Sequence, residues 1–437
     1  MTSKDSLLAK LHDRSAIIGV VGLGYVGLPL AVEYGRAGFQ VIGVDTDPLK
    51  VAALLAGESY IPDVRPAEVA ALRAAGRLAP TGDYAALAAA DAVIICVPTP
   101  LRKTRDPDIS YIVHAANKVA GLASAGMLIV LESTTYPGTT EEILQPLLEA
   151  RGFVLGQDIF LAFSPERMDP GNPRFGVRNT PKVLGGATPA CAEVAAALYG
   201  AVVERVVPVS SMRAAEMVKL LENTFRAVNI GLANEMALMC AKLGVDVWEV
   251  IEAAATKPYG FMRFTPGPGI GGHCIPVDPL YLSWKLKALN YNARFIETAD
   301  QVNMLMPQYV LALVQDALNE EGKALKGSRI LVLGVAYKRD VGDLRESPAL
   351  DVMDALLQRH AEVSYHDPYV PAIRLDGAAL ASVPLDPDAL AGADCVLIIT
   401  DHSCTDWALV RRHARLVVDT RNALRSAPAG GARVVKL

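Results

Sequence analysis

A glycine-rich turn near the N-terminus, Gly22-Leu23-Gly24-Tyr25-Val26-Gly27, constrains the fold of this chain more than any other segment. It follows the apolar run 16–21 and opens a helix-like segment, the strand–turn–helix setting that a GxGxxG pattern needs. In that setting the first glycine makes a tight turn, the second lets backbone approach a pyrophosphate, and the third packs helix on strand. Glycines also mark ordinary turns, but this context predicts that Gly22, Gly24 and Gly27 bind a dinucleotide.

An acidic side chain lies where a dinucleotide site needs one. Asp45 follows the apolar run 41–44, 18 residues beyond Gly27, so its carboxylate can accept hydrogen bonds from a ribose diol. A carboxylate there repels the 2′-phosphate of NADP, so we predict NAD as the cofactor. Lys50 is placed to assist on the adenosine side, although a solvated lysine fits the same pattern.

Alternating strands and helices extend well beyond the glycine turn. Runs rich in Val and Ile recur with Ala- and Leu-rich stretches between them, the pattern of a parallel sheet covered on both faces. Strands are predicted at 16–21, 41–44, 92–97, 127–131, 159–163 and 182–186. We therefore predict an NAD-binding domain over residues 1–209.

The pattern changes after residue 209. Residues 211–243 carry apolar side chains at helical spacing with no Gly or Pro before Gly231, which predicts a long helix, and a second helix is predicted over 303–321. From Gly327 the alternation resumes, with strands predicted at 329–334, 362–366, 395–400 and 416–419. The predicted fold is α/β, with two doubly wound Rossmann-like domains (1–209 and 326–437) joined by a central helical domain (210–325) that includes a long connecting helix.

Composition excludes several classes of protein. The chain has 437 residues, too many for one hydrophobic core, and its net charge of −5 provides no general attraction for nucleic acid. No stretch approaches the roughly 20 apolar residues that span a bilayer, so no membrane partner is expected. The six cysteines lack CxxC or Cys/His spacing, which predicts no metal, no disulfide and a cytoplasmic location.

A second glycine-rich segment surrounds one of these cysteines. Residues 266–279 read PGPGIGGHCIPVDP, so backbone can approach a ligand closely on the N-terminal side of Cys274. Asp278 lies within reach if Cys274 opens a turn of helix, and a helix N-terminus beside a cation lowers the pKa of a thiol. Cys96 and Cys395 sit in apolar runs and fit buried, inert cysteines, whereas Cys274 does not. We predict that Cys274 is a catalytic nucleophile.

A thiol used together with a dinucleotide permits a four-electron oxidation. Hydride removal from an alcohol gives an aldehyde, and thiolate attack converts the aldehyde into a thiohemiacetal. A second hydride removal gives a thioester, which water hydrolyses to an acid. The aldehyde is never released.

Together these motifs resemble the UDP-glucose/GDP-mannose dehydrogenase family, from about residue 16 to the C-terminus. The resemblance implies an N-terminal NAD domain, a central helical dimerisation domain and a C-terminal nucleotide-sugar domain. It also implies a UDP-sugar substrate and a homodimer or higher homo-oligomer.

The predicted long helix carries Lys219 and Asn223 four residues apart on one face, with Glu216 close to the same face. From spacing alone, a solvated face with a Glu–Lys pair is an alternative. The resemblance implies instead that Lys219 stabilises a developing oxyanion, or the Cys274 thiolate, and that Asn223 orients or shares it.

Three further residues follow apolar strands. The resemblance implies that Thr134 holds a water, that Glu166 acts as the base in thioester hydrolysis, and that Thr99 lies near the NAD. The alternatives are a helix cap for Thr134 and a solvated acid for Glu166.

The segment 334–348 occupies the phosphate-loop position of the second doubly wound unit but lacks GxGxxG, which favours a mononucleotide over a second dinucleotide. The resemblance implies that Lys338 contacts the nucleotide-sugar, that Arg345 reaches the NAD, and that Arg421 meets the uridine diphosphate. Cations on solvated loops are the alternative.

The residues around Glu166 and Cys274 also bear on the sugar. Three features resemble the branch that oxidises UDP-N-acetylhexosamines at C6: the segment 166–172, the Gly-Pro-Gly of the cysteine loop, and His273. Arg167 and Arg263 are predicted as further substrate contacts, and Arg263 is predicted to reach the substrate across a dimer interface. The prediction is UDP-N-acetylglucosamine 6-dehydrogenase activity supplying surface polysaccharide synthesis. UDP-glucose and the N-acetylated manno and galacto epimers are the alternatives. A regulator that has lost catalysis would lack these residues, and a two-electron hydroxyacid dehydrogenase would need no cysteine.

Overall fold

The structure is a computed structural model that describes residues 2–102, 105–169, 172, 174–375 and 377–437. By internal packing the chain divides into two units, Met1–Glu222 with Trp284–Tyr291, and Asn223–Ser283 with Asn292–Leu437. The domain boundaries at 209 and 325 stay a prediction.

The first unit is built on one large sheet. Its strands are β1 (Ile17–Val21), β2 (Gln40–Val44), β3 (Leu78–Thr81), β4 (Ala92–Ile95), β5 (Leu128–Leu131), β6 (Phe160–Phe163), β7 (Lys182–Gly186) and β8 (Val206–Pro208). Its helices are α1 (Ser3–His12), α2 (Gly27–Arg36), α3 (Pro48–Leu55), α4 (Pro66–Ala74), α5 (Ser110–Leu122), α6 (Gln145–Glu149) and α7 (Pro189–Gly200), with a 3₁₀ helix at Tyr84–Ala89 and a π-helical turn at Thr140–Leu144.

The strand order in this sheet is β3-β2-β1-β4-β5-β6-β7-β8. All neighbouring strands are parallel except β6 and β7, which are antiparallel. The side chains of β1 alternate between two cores, with Ile18 and Val20 in one and Val21 in the other, because helices cover both faces of the sheet. The direction of winding reverses between β1 and β4, which opens a crevice at the carboxyl ends of these strands.

The second half of the chain contains two long helices and a smaller sheet. Its helices are α8 (Met212–Leu243), which runs from the first unit into the second, α9 (Val247–Ala255), α10 (Asp278–Lys287), α11 (Arg294–Glu320), α12 (Pro348–Gln358), α13 (Pro387–Gly392) and α14 (Trp407–His413), with a 3₁₀ helix at Ala423–Ser426. Its strands are β9 (Arg329–Leu333), β10 (Glu362–His366), β11 (Ala372–Leu375), β12 (Ala378–Ala381), β13 (Cys395–Ile398), β14 (Leu416–Asp419) and β15 (Arg433–Lys436).

The second sheet has the order β10-β9-β13-β14-β15, and all its neighbouring strands are parallel. It too is covered on both faces, since Ile330 and Val332 of β9 belong to one core and Leu331 and Leu333 to another. A mostly parallel and a fully parallel doubly wound sheet, separated in the sequence by long helices, confirm the predicted α/β fold.

Several elements differ from the prediction. Helix α11 begins at Arg294 rather than 303, because its first turns bury only isolated apolar residues such as Ile296 and Ala299. Strands β3, β8, β11, β12 and β15 were not predicted. Each has three or four residues, too few to show an alternating pattern, and β3 and β8 are edge strands that contain proline.

Within the described residues, no helix is long and apolar enough to cross a membrane, and no group of His, Cys, Asp and Glu side chains could hold a metal ion. All six cysteines are free thiols.

Candidate active site

The glycine turn lies at the crevice of the first sheet, between β1 and α2. A Cβ on Gly27 would lie 1.8 Å from the carbonyl oxygen of Gly22, so only glycine lets α2 start this close to the strand. A Cβ on Gly24 would meet no atom within 4 Å, so this backbone borders open space. Tight packing at Gly27 and open space at Gly24 fit a loop that receives a pyrophosphate at a helix N-terminus.

Asp45 directly follows β2, beside this turn. One carboxylate oxygen of Asp45 accepts a hydrogen bond from the backbone N–H of Leu23 at 2.9 Å, and the other accepts from the N–H of Asp47 at 2.9 Å. Lys50 Nζ lies 3.4 Å from the first oxygen. Tyr60, which sequence reasoning missed, donates from its hydroxyl to the Leu23 carbonyl at 2.7 Å. The acid therefore ties the second strand to the glycine turn.

Three predicted site residues follow the next strands of this sheet. Thr99 follows β4, Thr134 follows β5 and Glu166 follows β6, and all three are half-buried. Because these strands are neighbours and parallel, their carboxyl ends share one edge with the glycine turn. The roles of Thr134 as a water ligand or a helix cap stay predictions.

Glu166 is held firmly as a carboxylate. One of its oxygens accepts backbone hydrogen bonds from Arg167, at 2.7 Å, and Met168, and Lys182 Nζ lies 3.5 Å from the other. Burial alone would raise its pKa, but Lys182, a hydrogen bond with Glu132 and the charge of Lys219 outweigh burial and lower it. Glu166 is therefore not the freely solvated acid of the alternative interpretation, and an ionised carboxylate is what a general base requires.

Lys219 on α8 is also buried, with 7% of its surface exposed. Glu216, one turn earlier, is 1% exposed and accepts hydrogen bonds from Gly138 N–H, from Thr140 N–H at 3.0 Å and from the Thr140 hydroxyl at 2.7 Å. Burial raises the pKa of Glu216 to about 6. The solvated Glu–Lys face is therefore wrong, because the two side chains are buried and Glu216 serves the turn at Gly138.

Arg167 points its guanidinium at groups of its own unit. It makes two hydrogen bonds to the carboxylate of Glu222, at 3.2 and 2.6 Å, and donates to the Pro181 carbonyl at 2.6 Å. This clamp fixes the backbone next to Glu166. A substrate contact by Arg167 stays a prediction.

In the second unit, Cys274 begins the turn that leads into α10. Its carbonyl oxygen accepts hydrogen bonds from the backbone N–H groups of Val277, at 3.1 Å, and Asp278, at 2.7 Å, and Cys274 is half-buried. The Asp278 side chain is 2% exposed and accepts a hydrogen bond from the side-chain amide of Asn223. The sequence places Asp278 within reach of Cys274 only if Cys274 opens a turn of helix, and the structure has that turn.

The glycines before Cys274 allow close packing against the segment after β9. The N–H of Gly272 donates to the Arg345 carbonyl at 3.0 Å, and a Cβ at Gly272, which has a φ of +90°, would lie 2.9 Å from the Tyr337 ring. A Cβ at Gly267 would lie 2.3 Å from a nitrogen of Arg421, and the N–H of Gly267 donates to Asn234 at 2.9 Å. The cysteine loop is thus fixed against the C-terminal sheet's own loops.

Two predicted cations follow strands β9 and β14 of the second sheet, which β13 separates. Lys338, half-buried, follows β9, and Arg421 follows β14 and donates to the Ile399 carbonyl at 2.8 Å. Burial and the nearby Arg339 lower the pKa of Arg421 to about 10, with Asp419 opposing the shift. The guanidinium therefore stays charged at neutral pH. An anionic ligand would offset the free-energy cost of keeping this charged guanidinium partly away from water.

Arg345 and Arg263 lie differently. Arg345 pairs with Asp343 through two nitrogens, one of them 2.5 Å from a carboxylate oxygen. Arg263 is exposed, and one of its nitrogens lies 3.8 Å from Glu252. The contacts predicted for them with NAD and with substrate stay predictions.

Sequence comparison identifies the architecture. Three family models cover most of the chain: the NAD binding domain of the UDP-glucose/GDP-mannose dehydrogenase family matches residues 16–203, its central domain residues 213–304, and its UDP binding domain residues 331–426. The chain belongs to this family. It is therefore an NAD-dependent dehydrogenase, and the predicted cofactor is confirmed.

Individual relatives match this chain over almost its whole length. UDP-N-acetyl-D-mannosamine dehydrogenase from Escherichia coli (strain K12) is 36% identical over 428 residues, which cover 94% of this chain and 99% of that protein. The structure of UDP-D-ManNAc dehydrogenase from Pyrococcus horikoshii matches with a TM-score of 0.87 at 34% identity, covering 96% of this chain and 98% of that one. A UDP-glucose dehydrogenase from Pyrobaculum islandicum matches with a TM-score of 0.83 at 30% identity, covering 95% and 96%.

Sequence reasoning missed the buried groups that surround Glu166 in this dehydrogenase. Glu132 follows β5, Lys182 opens β7, and Tyr199 lies on α7. Glu132 and Lys182 could have been noticed as charged residues that border apolar strands. Charged residues in such places are rarely buried unless they are paired. Nothing in the spacing indicated that they pair with one another.

Replacing Asp45 with alanine is expected to weaken NAD binding about 10- to 100-fold, because the ribose would lose its acceptor and Leu23 its hydrogen bond. Asp45→Asn keeps a hydrogen-bond acceptor, so its affinity for NAD should lie between those of the wild type and Asp45→Ala. Calorimetric titration with NAD measures the effect. Unchanged affinity in both variants would contradict the assignment of Asp45.

Proposed function

We propose that the chain oxidises C6 of UDP-N-acetyl-D-mannosamine to the uronate, with NAD as oxidant and Cys274 as covalent nucleophile. The observation that carries the covalent step is the cysteine loop itself. Cys274 lies half-buried at the start of a helical turn, with Asp278 and Asn223 hydrogen bonded beside it and close-packed glycines before it. A merely structural cysteine needs none of this arrangement.

The choice of sugar follows the relatives. Both the Escherichia coli protein and the Pyrococcus horikoshii structure bear the N-acetylmannosamine name, at 36% and 34% identity. UDP-N-acetylglucosamine, predicted from the sequence, is not confirmed, and these comparisons favour the manno alternative. UDP-glucose is the second candidate, since a UDP-glucose dehydrogenase shares the fold at 30% identity.

Each residue has a role in the proposed reaction. NAD, when bound, accepts the hydride in each of the two oxidations. Cys274 adds to the aldehyde carbon and holds the sugar through the second oxidation, so that no free aldehyde escapes. Lys219 stabilises the oxyanion, Asn223, held by Asp278, orients it, and Thr134 holds a water. Glu166 takes the proton of the water that hydrolyses the thioester.

The second unit supports the assignment of the nucleotide. Lys338 and Arg421 follow strands of one parallel sheet, and Arg421 carries a half-buried charge that a diphosphate would neutralise. The loop after β9 has no GxGxxG, and its N–H groups at Val335 and Ala336 already donate to Asp367, at 2.7 and 3.1 Å. These features support a mononucleotide anchored by side-chain cations.

A homodimer is part of the proposal. Phe225, Leu232 and Met239 recur every seven residues along α8 and are 47, 54 and 44% exposed, and Phe295 and Leu305 of α11 are 80 and 59% exposed. Large apolar side chains in such numbers are typical of a surface that a second copy covers. Arg263, exposed in this unit, is placed by the same proposal at the partner's substrate. A cytoplasmic location likewise stays a prediction from composition.

The decisive experiment measures NADH yield and kcat/KM across four substrates: the UDP conjugates of N-acetylmannosamine, N-acetylglucosamine, N-acetylgalactosamine and glucose. We expect two NADH per sugar, with the manno epimer preferred by about 10-fold or more, since a misplaced hydroxyl leaves polar groups unpaired. A single NADH per sugar would contradict the covalent mechanism. Preference for another sugar would contradict only the substrate assignment.

A further inference from the structure

Behind Glu166 lies a second carboxyl group that the proposed mechanism does not use. Glu132 is fully buried at the carboxyl end of β5, the strand next to that of Glu166. The Lys182 ammonium donates to one of its oxygens, and the Tyr199 hydroxyl donates to the other at 2.7 Å. Lys182 is itself 7% exposed, so the three polar groups are sequestered from water together.

This cluster is continuous with Glu166. Lys182 Nζ also lies 3.5 Å from a Glu166 oxygen, so one ammonium bridges the two carboxyl groups, and a hydrogen bond with Glu132 is among the causes that lower the pKa of Glu166. Two carboxyls that share a hydrogen bond and a single ammonium are neutral together when one proton lies between them. A hydrogen bond between two carboxyl groups requires that proton.

The proton belongs on Glu132. Burial raises the pKa of Glu132 to about 7, with Lys182 opposing the rise and Glu166 adding to it. The pKa of Glu166 is lowered in spite of burial, because Lys182 and the Glu132 hydrogen bond favour its charged form. Burial works against the charge of Lys182, but Glu132 and Glu166 raise its pKa above the ordinary value. Below neutral pH the arrangement is a protonated Glu132 that donates to an ionised Glu166.

We propose that Glu132 is a positioning residue that stores a proton behind Glu166 and thereby sets how strongly Glu166 attracts the proton of the hydrolytic water. The inference rests on the proposed function, in which Glu166 is the base for thioester hydrolysis. While Glu132 is protonated, its hydrogen bond weakens Glu166 as a base. Once Glu132 ionises, its negative charge makes Glu166 a stronger base and the hydrolysis faster.

The step balances without any further reactant. The oxygen of water forms a bond to the thioester carbon, and one water proton passes to Glu166. The carbon–sulfur bond then breaks, its electron pair leaves on Cys274 as thiolate, and the sugar departs as the carboxylic acid. Lys182 and Tyr199 hold the Glu132 carboxyl in place throughout.

Other groups face this cluster but do not share its titration. Burial, and then the charge of Glu132, raise the pKa of the Cys96 thiol and the Tyr34 phenol well above their ordinary values, so both stay neutral. The Tyr199 phenol is likewise raised by burial and by Glu132. Lys219 approaches Glu166 from α8 and attracts its negative charge. The change of charge near neutral pH therefore belongs to the carboxyl pair.

The test follows hydrolysis alone. Full-length enzyme is mixed with NAD and UDP-N-acetylmannosamine, and the decay of covalent sugar on the intact protein is followed by mass spectrometry between about pH 6 and pH 8. The wild-type decay rate is expected to rise about threefold to tenfold with a midpoint near the Glu132 pKa of about 7. In Glu132→Gln, which cannot release a proton, the rise should be absent.

Tyr199→Phe provides the second variant. It removes a hydrogen bond that favours ionised Glu132, so the rise should persist with its midpoint shifted by about one unit to higher pH. A Glu132→Gln rate that is lowered by one factor at every pH would mean a structural role and overturn the inference. An unchanged midpoint in Tyr199→Phe would also overturn the inference. This second variant tests the role of Glu132 even if Glu132→Gln fails to fold. Absence of covalent sugar in the wild type, with every sugar of the panel, would overturn the proposed function as well.

Discussion

Cys274→Ser is expected to lower uronate formation about a thousandfold or more, while UDP-sugar binding stays close to that of the wild type. Serine fits the same half-buried position at the start of the turn, but its hydroxyl is a far weaker nucleophile than a thiolate. The aldehyde would no longer be held for the second oxidation. NADH production from the UDP-sugar aldehyde measures the loss, and calorimetry with the UDP-sugar measures binding.

Cys404→Ser is the matched control, because Cys404 is an exposed thiol of the same unit without a proposed role. It should retain full activity. If Cys274→Ser also oxidised the aldehyde at the wild-type rate, the thioester mechanism would have to be abandoned, whichever sugar proves to be the substrate.

Glu166→Gln is expected to trap the enzyme as its thioester. Both oxidations should proceed and release two NADH per site in a burst, after which turnover falls about 100- to 1000-fold because no carboxylate accepts the water proton. Glutamine retains the size of the side chain and an acceptor for the Arg167 and Met168 N–H groups. Mass spectrometry of the quenched enzyme should show the sugar attached to Cys274.

Glu193→Gln, which changes an exposed carboxylate of the same unit, should leave both the burst and the turnover unchanged. Unaltered steady-state turnover in Glu166→Gln would rule out Glu166 as the base. It would also remove the basis for a role of Glu132, since that residue acts only through its neighbour.

The fold was largely predictable because its signals are local. The apolar runs that became β1, β4 and β5 are buried on both faces of a sheet, so they are continuous rather than alternating. Helix α8 was predictable because no Gly or Pro interrupts its first half. The glycine turn was predictable because its meaning depends only on the strand before it and the helix after it.

The surroundings of the site residues were not predictable, because their partners are distant in sequence. Spacing alone left a solvated face beside Lys219 open as an alternative for Glu216, yet Glu216 binds the turn at Gly138, 78 residues away. Glu132 and Lys182 are 50 residues apart and meet only because the sheet brings their strands to one region. Pattern reasoning finds which residue types are present, whereas burial and ion pairing depend on tertiary packing.

The packing of the cysteine loop limits how such enzymes can be recombined. Gly267 has no room for a side chain beside Arg421, and Gly272 is hydrogen bonded to Arg345 and packed against Tyr337. A chimaera that takes its nucleotide domain from a relative, joined just before β9, would set one parent's loop against the other parent's arginines. Transplanting UDP-sugar recognition therefore requires residues 266–279 to move together with the C-terminal sheet, as one inherited block.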